Sequence, residues 1–563
     1  MSTLRLTTFL RTFECAYTSH IPRSIKMNQR RRFSPLRVAA AVGVLFALAL
    51  ITSADWVLAA TSDTDPAQVL TTIAQARFGA LTDAELRMLR AAPTRELAWA
   101  SKIEDPEDPL NDVAKAESWG KERTVRAELL AWLLSDAEAS KLVHPSGVGL
   151  AAARIIGKLD LSYLEVIHPL TLLDCLISDG IDFSHAQINS IDLRRSSTGT
   201  IDGDISAVHG DLNLRLGRYD TISLFRAEIG GNLDCSSSRL AGDPPLAAAL
   251  ASINGDVVLH DGVETAGIID LRLAKISQSL SVNHARFIGP NENGLNAERA
   301  TIGGTLYWVD ITKTARTELN LSNAHAAAVW DDEKSWPAPG NLYLDGFTYE
   351  GFAGGPADGA ARLQWLRLQP LAIQAQPQPY HQLARVLRDE GREEGAVQVE
   401  IARENALIAS GGISTANWLW RETLRATIGY GYRPLRALWW ILGFVLLGRV
   451  LFRWGYGAGL ITPTEASAYH AFIESGAPPR HYPPFSSFVY SLENFLPVVD
   501  LHQGTYWRPN PHHHPSNRRR EAKWADNTFS ARLLRCYLWI HILAGWTITP
   551  LLFAGLAGLL HND

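Results

Sequence analysis

The sequence predicts a mainly β fold: a right-handed parallel β-helix with a helical N-cap, a helical hairpin after it, and C-terminal transmembrane helices. Three observations carry this expectation. A short unit recurs between Gly157 and Asp345. Its apolar residues stand two apart, which is strand periodicity. Beyond residue 430 two apolar stretches are long enough to cross a bilayer.

Composition sets the frame for these elements. The 563 residues allow several domains, and 46% hydrophobic content fits one soluble part and one membrane part. With 53 basic and 58 acidic residues the net charge is −5, so a nucleic-acid partner is not expected. Cys15, Cys175, Cys235 and Cys536 include no CxxC pair. They therefore suggest neither a disulfide framework nor a zinc site.

The elements then follow in chain order. Residues 1–60 read as an N-terminal extension and an export segment: Arg30, Arg31, Arg32 and Arg37 precede the uncharged stretch 38–54, followed by Leu58-Ala-Ala and a polar run. Cleaved signal peptide and retained signal anchor both fit this layout, and Met27 is an alternative start to Met1. Residues 61–150 read as a helical capping region. Within it, 123–135 is expected to be one amphipathic helix with Val125, Leu129, Leu130, Leu133 and Leu134 on its apolar side. Such a helix would cover the first coil, whose open end exposes backbone and apolar interior.

Residues 151–350 carry the repeat. Its units include Gly157-Lys-Leu-Asp-Leu-Ser, Gly180-Ile-Asp-Phe-Ser, Gly210-Asp-Leu-Asn-Leu and Gly231-Asn-Leu-Asp-Cys-Ser. Their first apolar residues, such as Leu159, Leu170, Ile181 and Ile191, fall ten to twelve apart. Strands this short become stable only when stacked on a shared apolar column, with two units making a coil of roughly 21 residues. The Asp or Asn between the apolar residues should face water. Gly157, Gly180, Gly210, Gly231 and Gly255 are expected at corners that need unusual backbone angles. An antiparallel sandwich also uses short alternating strands, but the near-identity of successive units favours a solenoid.

Three stretches carry a resemblance: 123–134 (Arg-Thr-Val-Arg-Ala-Glu-Leu-Leu-Ala-Trp-Leu-Leu), Gly157-Lys-Leu-Asp-Leu-Ser, and Phe225-Arg-Ala-Glu-Ile-Gly-Gly-Asn-Leu-Asp-Cys-Ser. They resemble a family of uncharacterised bacterial membrane proteins with pentapeptide-like repeats. The likeness covers most of the chain after about Ala114 and implies a pentapeptide-like solenoid, although the units depart from a strict A(D/N)LXX pattern. Some relatives carry the label membrane-associated oxidoreductase.

Residues 360–425 read as a helical hairpin connector, one helix from Gln378 ended by Gly391 and a second over 393–408. Residues 426–563 read as a membrane domain with two transmembrane helices. The first is expected over 435–452, with Trp439 and Trp440 at one end and Arg449 and Arg453 at the other. The second is expected over about 533–560, interrupted by Pro550, with Ala554 and Gly558 as a small-residue packing pair. The connecting loop is richer in arginine than the flank before the first span. The loop is therefore expected in the cytoplasm and the β-helix in the periplasm or otherwise outside, on an inner (plasma) membrane.

No glycine-rich phosphate loop, GxSxG elbow or nucleophile with its base stands out, so no catalytic, cofactor-binding or metal residue is expected, and no cofactor or enzyme activity. The run His512, His513 and His514 near His502 and Asp500 reads as a solvated loop. The expected function is a membrane-tethered scaffold for a protein or glycan partner, with membrane lipid as a second partner and a homo-oligomer formed through the transmembrane helices. The alternative is a pore-loop ion channel: 485–507 contains a short helix halted by Pro497, and Pro497, Val498, Val499 and Asp500 would line its filter. A membrane-associated oxidoreductase ranks below both.

Overall fold

The computed structural model describes residues 65–409, 411, 414–510 and 527–558. The export-type segment, Cys15, the three-histidine run and Arg518, Arg519, Arg520 and Lys523 lie outside the described residues.

The repeats build a parallel β-solenoid of about nine turns. Its strands form parallel sheets of 17, 8 and 9 members, and the largest contains two ladders side by side. Each coil therefore offers four strand positions. One ladder stacks Leu159, Ile181, Ile201 and Ile222; another stacks Leu170, Ile191, Leu212 and Leu233. Two sequence units thus make one coil, as the spacing predicts. Ile201 lies over Ile181 twenty residues earlier, and Leu295 over Ile269 twenty-six residues earlier. The inward residues of all these strands are buried in one continuous core. At about 1.5–3 kcal/mol for each buried Leu, Ile or Val, that column is the main stabilising term.

Each unit supplies two strands rather than one, which the sequence reading missed. After the first strand the chain makes a tight turn whose third residue is left-handed. Leu164 N–H donates to Leu161 O at 3.3 Å around Tyr163, which has φ 59°. The Tyr163 N–H then points along the solenoid axis and donates to Ser184 O of the next coil at 3.0 Å. Ile205 (φ 58°) and Leu250 (φ 62°) repeat the arrangement on Phe225 O and Arg272 O. An inter-coil hydrogen bond offsets part of the left-handed cost. A second ladder of short strands follows each turn, carrying Val166, Ile188 and Val208 on one side of the coil and Ile155, Ile177 and Tyr219 on the other.

The outward Asp or Asn has a local role. Asp160 Oδ1 accepts from Ser162 N–H at 3.0 Å, Asp182 Oδ1 from Ser184 N–H at 3.0 Å, and Asn320 Oδ1 from Ser322 N–H at 3.0 Å. The side chain satisfies the one turn amide that faces away from the neighbouring coil. This explains the recurring polar residue between two apolar ones.

The glycine expectation needs correction. Gly157 and Gly180 do have positive φ, but Gly210, Gly231 and Gly255 do not, and the left-handed turns hold larger residues. The last three glycines serve close approach instead. A Cβ on Gly255 would fall 2.3 Å from Asn232 Oδ1 and 2.6 Å from Gly231 O, so coils stack at that corner only without side chains.

Helices pack at both ends of the solenoid. The expected helix over 123–135 is shorter: Thr124–Arg126 is a strand paired with Arg154–Ile156, and only Ala127–Ser135 is helical. Val125 is buried in register with Ile155, so tertiary pairing overrides the helical pattern there. Before it, Pro66–Phe78 and Asp83–Ala91 form a helix pair. At the far end Gly359–Leu366 precedes the hairpin Pro377–Asp389 and Glu393–Ala409, whose turn holds Gly391 at φ 74°. A further helix, Thr415–Ile428, leads to the first apolar span.

Among the described residues two helices are long and apolar enough to cross a membrane, Arg436–Gly457 and Phe529–Leu556, the latter within a helix that begins at Asn527. The first runs five residues further than the sequence suggested. Gly558 lies past the end of the second at φ 70°, so Ala554 and Gly558 do not share a helical packing face. The contact glycines of that helix are Gly545, against Phe495, and Gly555, against Pro434.

Candidate functional site

The site lies where a short helix, Ser487–Phe495, is held between the two apolar helices. Its start is set by Ser486, whose Oγ accepts from Val489 N–H at 3.4 Å. Its end precedes Pro497, which has no N–H to continue the ladder. The helix runs antiparallel to the first span. Phe485 stacks on Tyr456 at 4.7 Å, Tyr490 meets Phe452 edge-on at 4.9 Å, and Phe495 stacks on Phe444 at 5.5 Å. The first span covers Arg436–Gly457, so the short helix starts near its C-terminal end and stops beside its middle.

Two glycines make the seat. A Cβ on Gly448 would stand 2.2 Å from Ser491 Oγ, and one on Gly545 would stand 1.7 Å from Phe495 O. Both helices are therefore notched where the short one crosses them. Polar groups fix its depth. Ser491 Oγ donates to Val445 O at 2.9 Å. His541, on the second span and fully buried, donates from Nε2 to Ser491 O at 2.9 Å. A carbonyl only accepts, so Nδ1 is left to take the Tyr537 hydroxyl at 3.3 Å. Phe444, Phe452 and Phe495 surround the imidazole.

After the helix the chain folds back. Glu493 accepts from Gln503 N–H at 2.7 Å and Gly504 N–H at 3.0 Å, closing a loop over 496–502. Gln503 Oε1 takes Ser486 N–H at 3.1 Å, tying the return to the start of the helix. All four expected filter residues lie on this loop. Val498 is 85% exposed and Asp500 is exposed, while Pro497 and Val499 are half-buried. Asp500 Oδ1 accepts from His502 N–H and pairs with His502 Nδ1, each at 2.9 Å. Beside the loop an open cavity of about 1010 Å³ is lined by Glu493, Asn494, Asp500, Arg508, Arg535 and Trp546.

The sequence identified the loop but not what holds it. Gly448, Gly545, Ser491, Glu493 and His541 went unremarked because their roles depend on helices far apart in sequence. His541 alone left a signal, a histidine inside an apolar span.

Outside this site, the thiols at Cys175 and Cys235 are fully buried in the solenoid, and burial pushes the Cys175 thiol up to about 12 and Cys235 higher still. Neither is poised as a nucleophile. Among the described residues no group of three or more His, Cys, Asp or Glu side chains is arranged to hold a metal.

No protein-family model, curated protein or solved structure matches this chain.

Proposed function

We propose that the C-terminal module is the subunit of a pore-loop cation channel and that the β-solenoid is its external receiving domain. One observation carries the reading: a half-length helix, seated by Gly448 and Gly545 between two apolar helices, ends beside the middle of the first and hands over to a loop that bears Pro497, Val498, Val499 and Asp500, with Val498 and Asp500 exposed. The helix C-terminus directs the negative end of its dipole to the point where the loop begins. Asp500 adds formal charge of the same sign, so a conducted ion is a cation. Several copies must surround an axis for the loop to enclose a path, in keeping with the expected homo-oligomer. Because 497–500 contains no glycine to turn successive carbonyls inward, discrimination between sodium and potassium is weak.

The orientation follows the basic residues and the export-type N-terminus. The right-handed, pentapeptide-like solenoid, with Ala127–Ser135 as its cap, then stands outside the cytoplasm, and the loop dips in from the cytoplasmic side of the inner (plasma) membrane. No catalytic step is part of this reading. Purified full-length protein in liposomes tests it: cation flux that falls in D500A supports the channel, and flux no greater than in empty liposomes removes it.

A scaffold role for the solenoid is favoured by a separate observation. Along one column of its turns Tyr163, Ile205, Leu250 and Leu273 are exposed, with His185 stacked on Tyr163 at 4.6 Å and Phe225 beside Arg226, giving a largely apolar edge where polar turn residues are the norm. A protein or glycan partner would use this edge. A photo-crosslinker at Leu250 yields a discrete adduct in cells, and an adduct pattern identical to that from Leu216, on the other column of turns, would count against this edge.

A further inference from the structure

The helix Thr415–Ile428 has two unlike halves. Its last turn belongs to the membrane module: Ile428 is buried with Ala437, Leu551 and Leu552, and Leu424 packs on the same cluster. Trp440 on the first span donates from Nε1 to Ala426 O at 2.9 Å and pins the helix to that span. The first half has no such support. Trp418, Leu419 and Trp420 are 46%, 61% and 47% exposed. The helix does not need a partner to form, since Ser414 caps its start through Asn417 N–H and Gly429, at φ 56°, closes its end.

Three consecutive large apolar side chains on a well-formed helix call for an apolar cover, and their position says which one. The pinned end sits where the first span begins, beside exposed Trp439 and Trp440. On the same face Gly443 has nothing within 4 Å of a would-be Cβ. It opens an apolar notch of about 390 Å³ between Trp439, Trp440, Phe444 and Leu447, on a surface that meets acyl chains. Successive helical residues stand about 100° apart, so Leu419 points outward with Trp418 and Trp420 on its two flanks, and Trp439 and Trp440 are exposed on the adjoining helix. Indoles, with an apolar body and one N–H, partition to the boundary between headgroups and hydrocarbon.

The geometry points to Thr415–Ile428 as a membrane-surface helix whose Trp418, Leu419 and Trp420 enter the headgroup boundary of the leaflet on the solenoid side. This rests on the reading of the two apolar helices as membrane-embedded. The connector is ion-paired to this helix through Glu404 and Arg421 at 2.5 Å, so the lipid surface becomes the floor on which the base of the solenoid is held.

The test uses the full-length protein in phospholipid nanodiscs, with C15S and C536S removing the thiols outside the solenoid core. A nitroxide is placed at L419C, at L446C on the outer face of the first span, and at L371C in an exposed connector loop. Its collisions are measured with oxygen, which concentrates in lipid, and with a water-soluble nickel chelate. The expected result is an oxygen-to-nickel ratio at position 419 several-fold above that at 371 and approaching that at 446. A ratio at 419 equal to that at 371 overturns the inference, and so does shielding from both reagents, which would mean a second copy covers the helix. Nickel access at 446 removes the membrane reading itself, a separate outcome.

Discussion

Arg362 grips Asp331 with both prongs of its guanidinium, at 2.8 and 2.6 Å, where neither side chain has more than 3% of its surface in water. Trp336 Nε1 adds a third donor to the same carboxylate at 2.8 Å, and Phe352 lies 3.8 Å beneath the guanidinium. The pair joins strand His325–Asp331 of the solenoid to helix Gly359–Leu366, so it ties the last coils to the connector. Removing one partner strands the other charge in an apolar site. R362M is expected to cost roughly 3–5 kcal/mol, read as a lower midpoint in chemical denaturation of the detergent-solubilised protein. A change under about 1 kcal/mol, the range of an exposed pair, would show that the site is wetter than its geometry implies.

At the opposite end Glu85 should make the structure acid-sensitive. Burial alone would raise its pKa, but hydrogen bonds from Arg126 and from the Thr82 and Arg126 amides outweigh burial and hold it below the ordinary carboxylate value. A depressed folded-state pKa contributes stability that is present above the unfolded value, and that stability is lost as pH falls through the lowered one. Protection from hydrogen exchange, taken relative to the intrinsic rate at each pH, is therefore expected to fall in Asp83–Ala91 and Thr124–Arg126 below about pH 4.5, near the unfolded carboxylate value. In E85Q protection is lower at neutral pH and less dependent on acid.

The seat of the short helix predicts a contrast between two glycines. G545A places a methyl 1.7 Å from a backbone carbonyl that cannot swing aside, whereas G443A meets nothing within 4 Å. G545A should abolish liposome flux and lower the melting temperature in detergent, and G443A should leave both unchanged. Equal behaviour of the two would contradict the notch.

His541 supplies the donor for Ser491 O inside the bundle. H541L removes a second hydrogen bond from a carbonyl that also accepts within its own helix, a cost of about 1 kcal/mol, and should weaken both flux and thermal stability. Y537F removes only the 3.3 Å contact on the far ring nitrogen and should change both little. A silent H541L would mean that packing alone holds the short helix.

In the solenoid, Ile205 is a β-branched residue at φ 58°, half exposed. Left-handed geometry costs such a residue roughly 1–2 kcal/mol, and asparagine tolerates it better. I205N is expected to stabilise the solenoid by about 1 kcal/mol while reducing any binding that uses the apolar edge. Calorimetry and the crosslinking assay report these two effects separately.

The sequence alone determined what depends on local period. Alternating apolar residues every ten to twelve positions specify short strands and, because such strands cannot bury a core alone, their stacking two units to a coil. Apolar length likewise specifies the two helices able to cross a bilayer, and Pro497 specifies where the short helix stops. Tertiary structure decided what depends on neighbours distant in sequence. Thr124–Arg126 became a strand because Ile155 offered a partner, and the left-handed corners are held by Tyr163, Ile205 and Leu250, whose amides the next coil accepts. The seat between Gly448 and Gly545, with His541 reaching Ser491 fifty residues away, arises only once three helices meet. A repeat can be read from one strand of text because every coil sees the same surroundings; a site built from single contacts cannot.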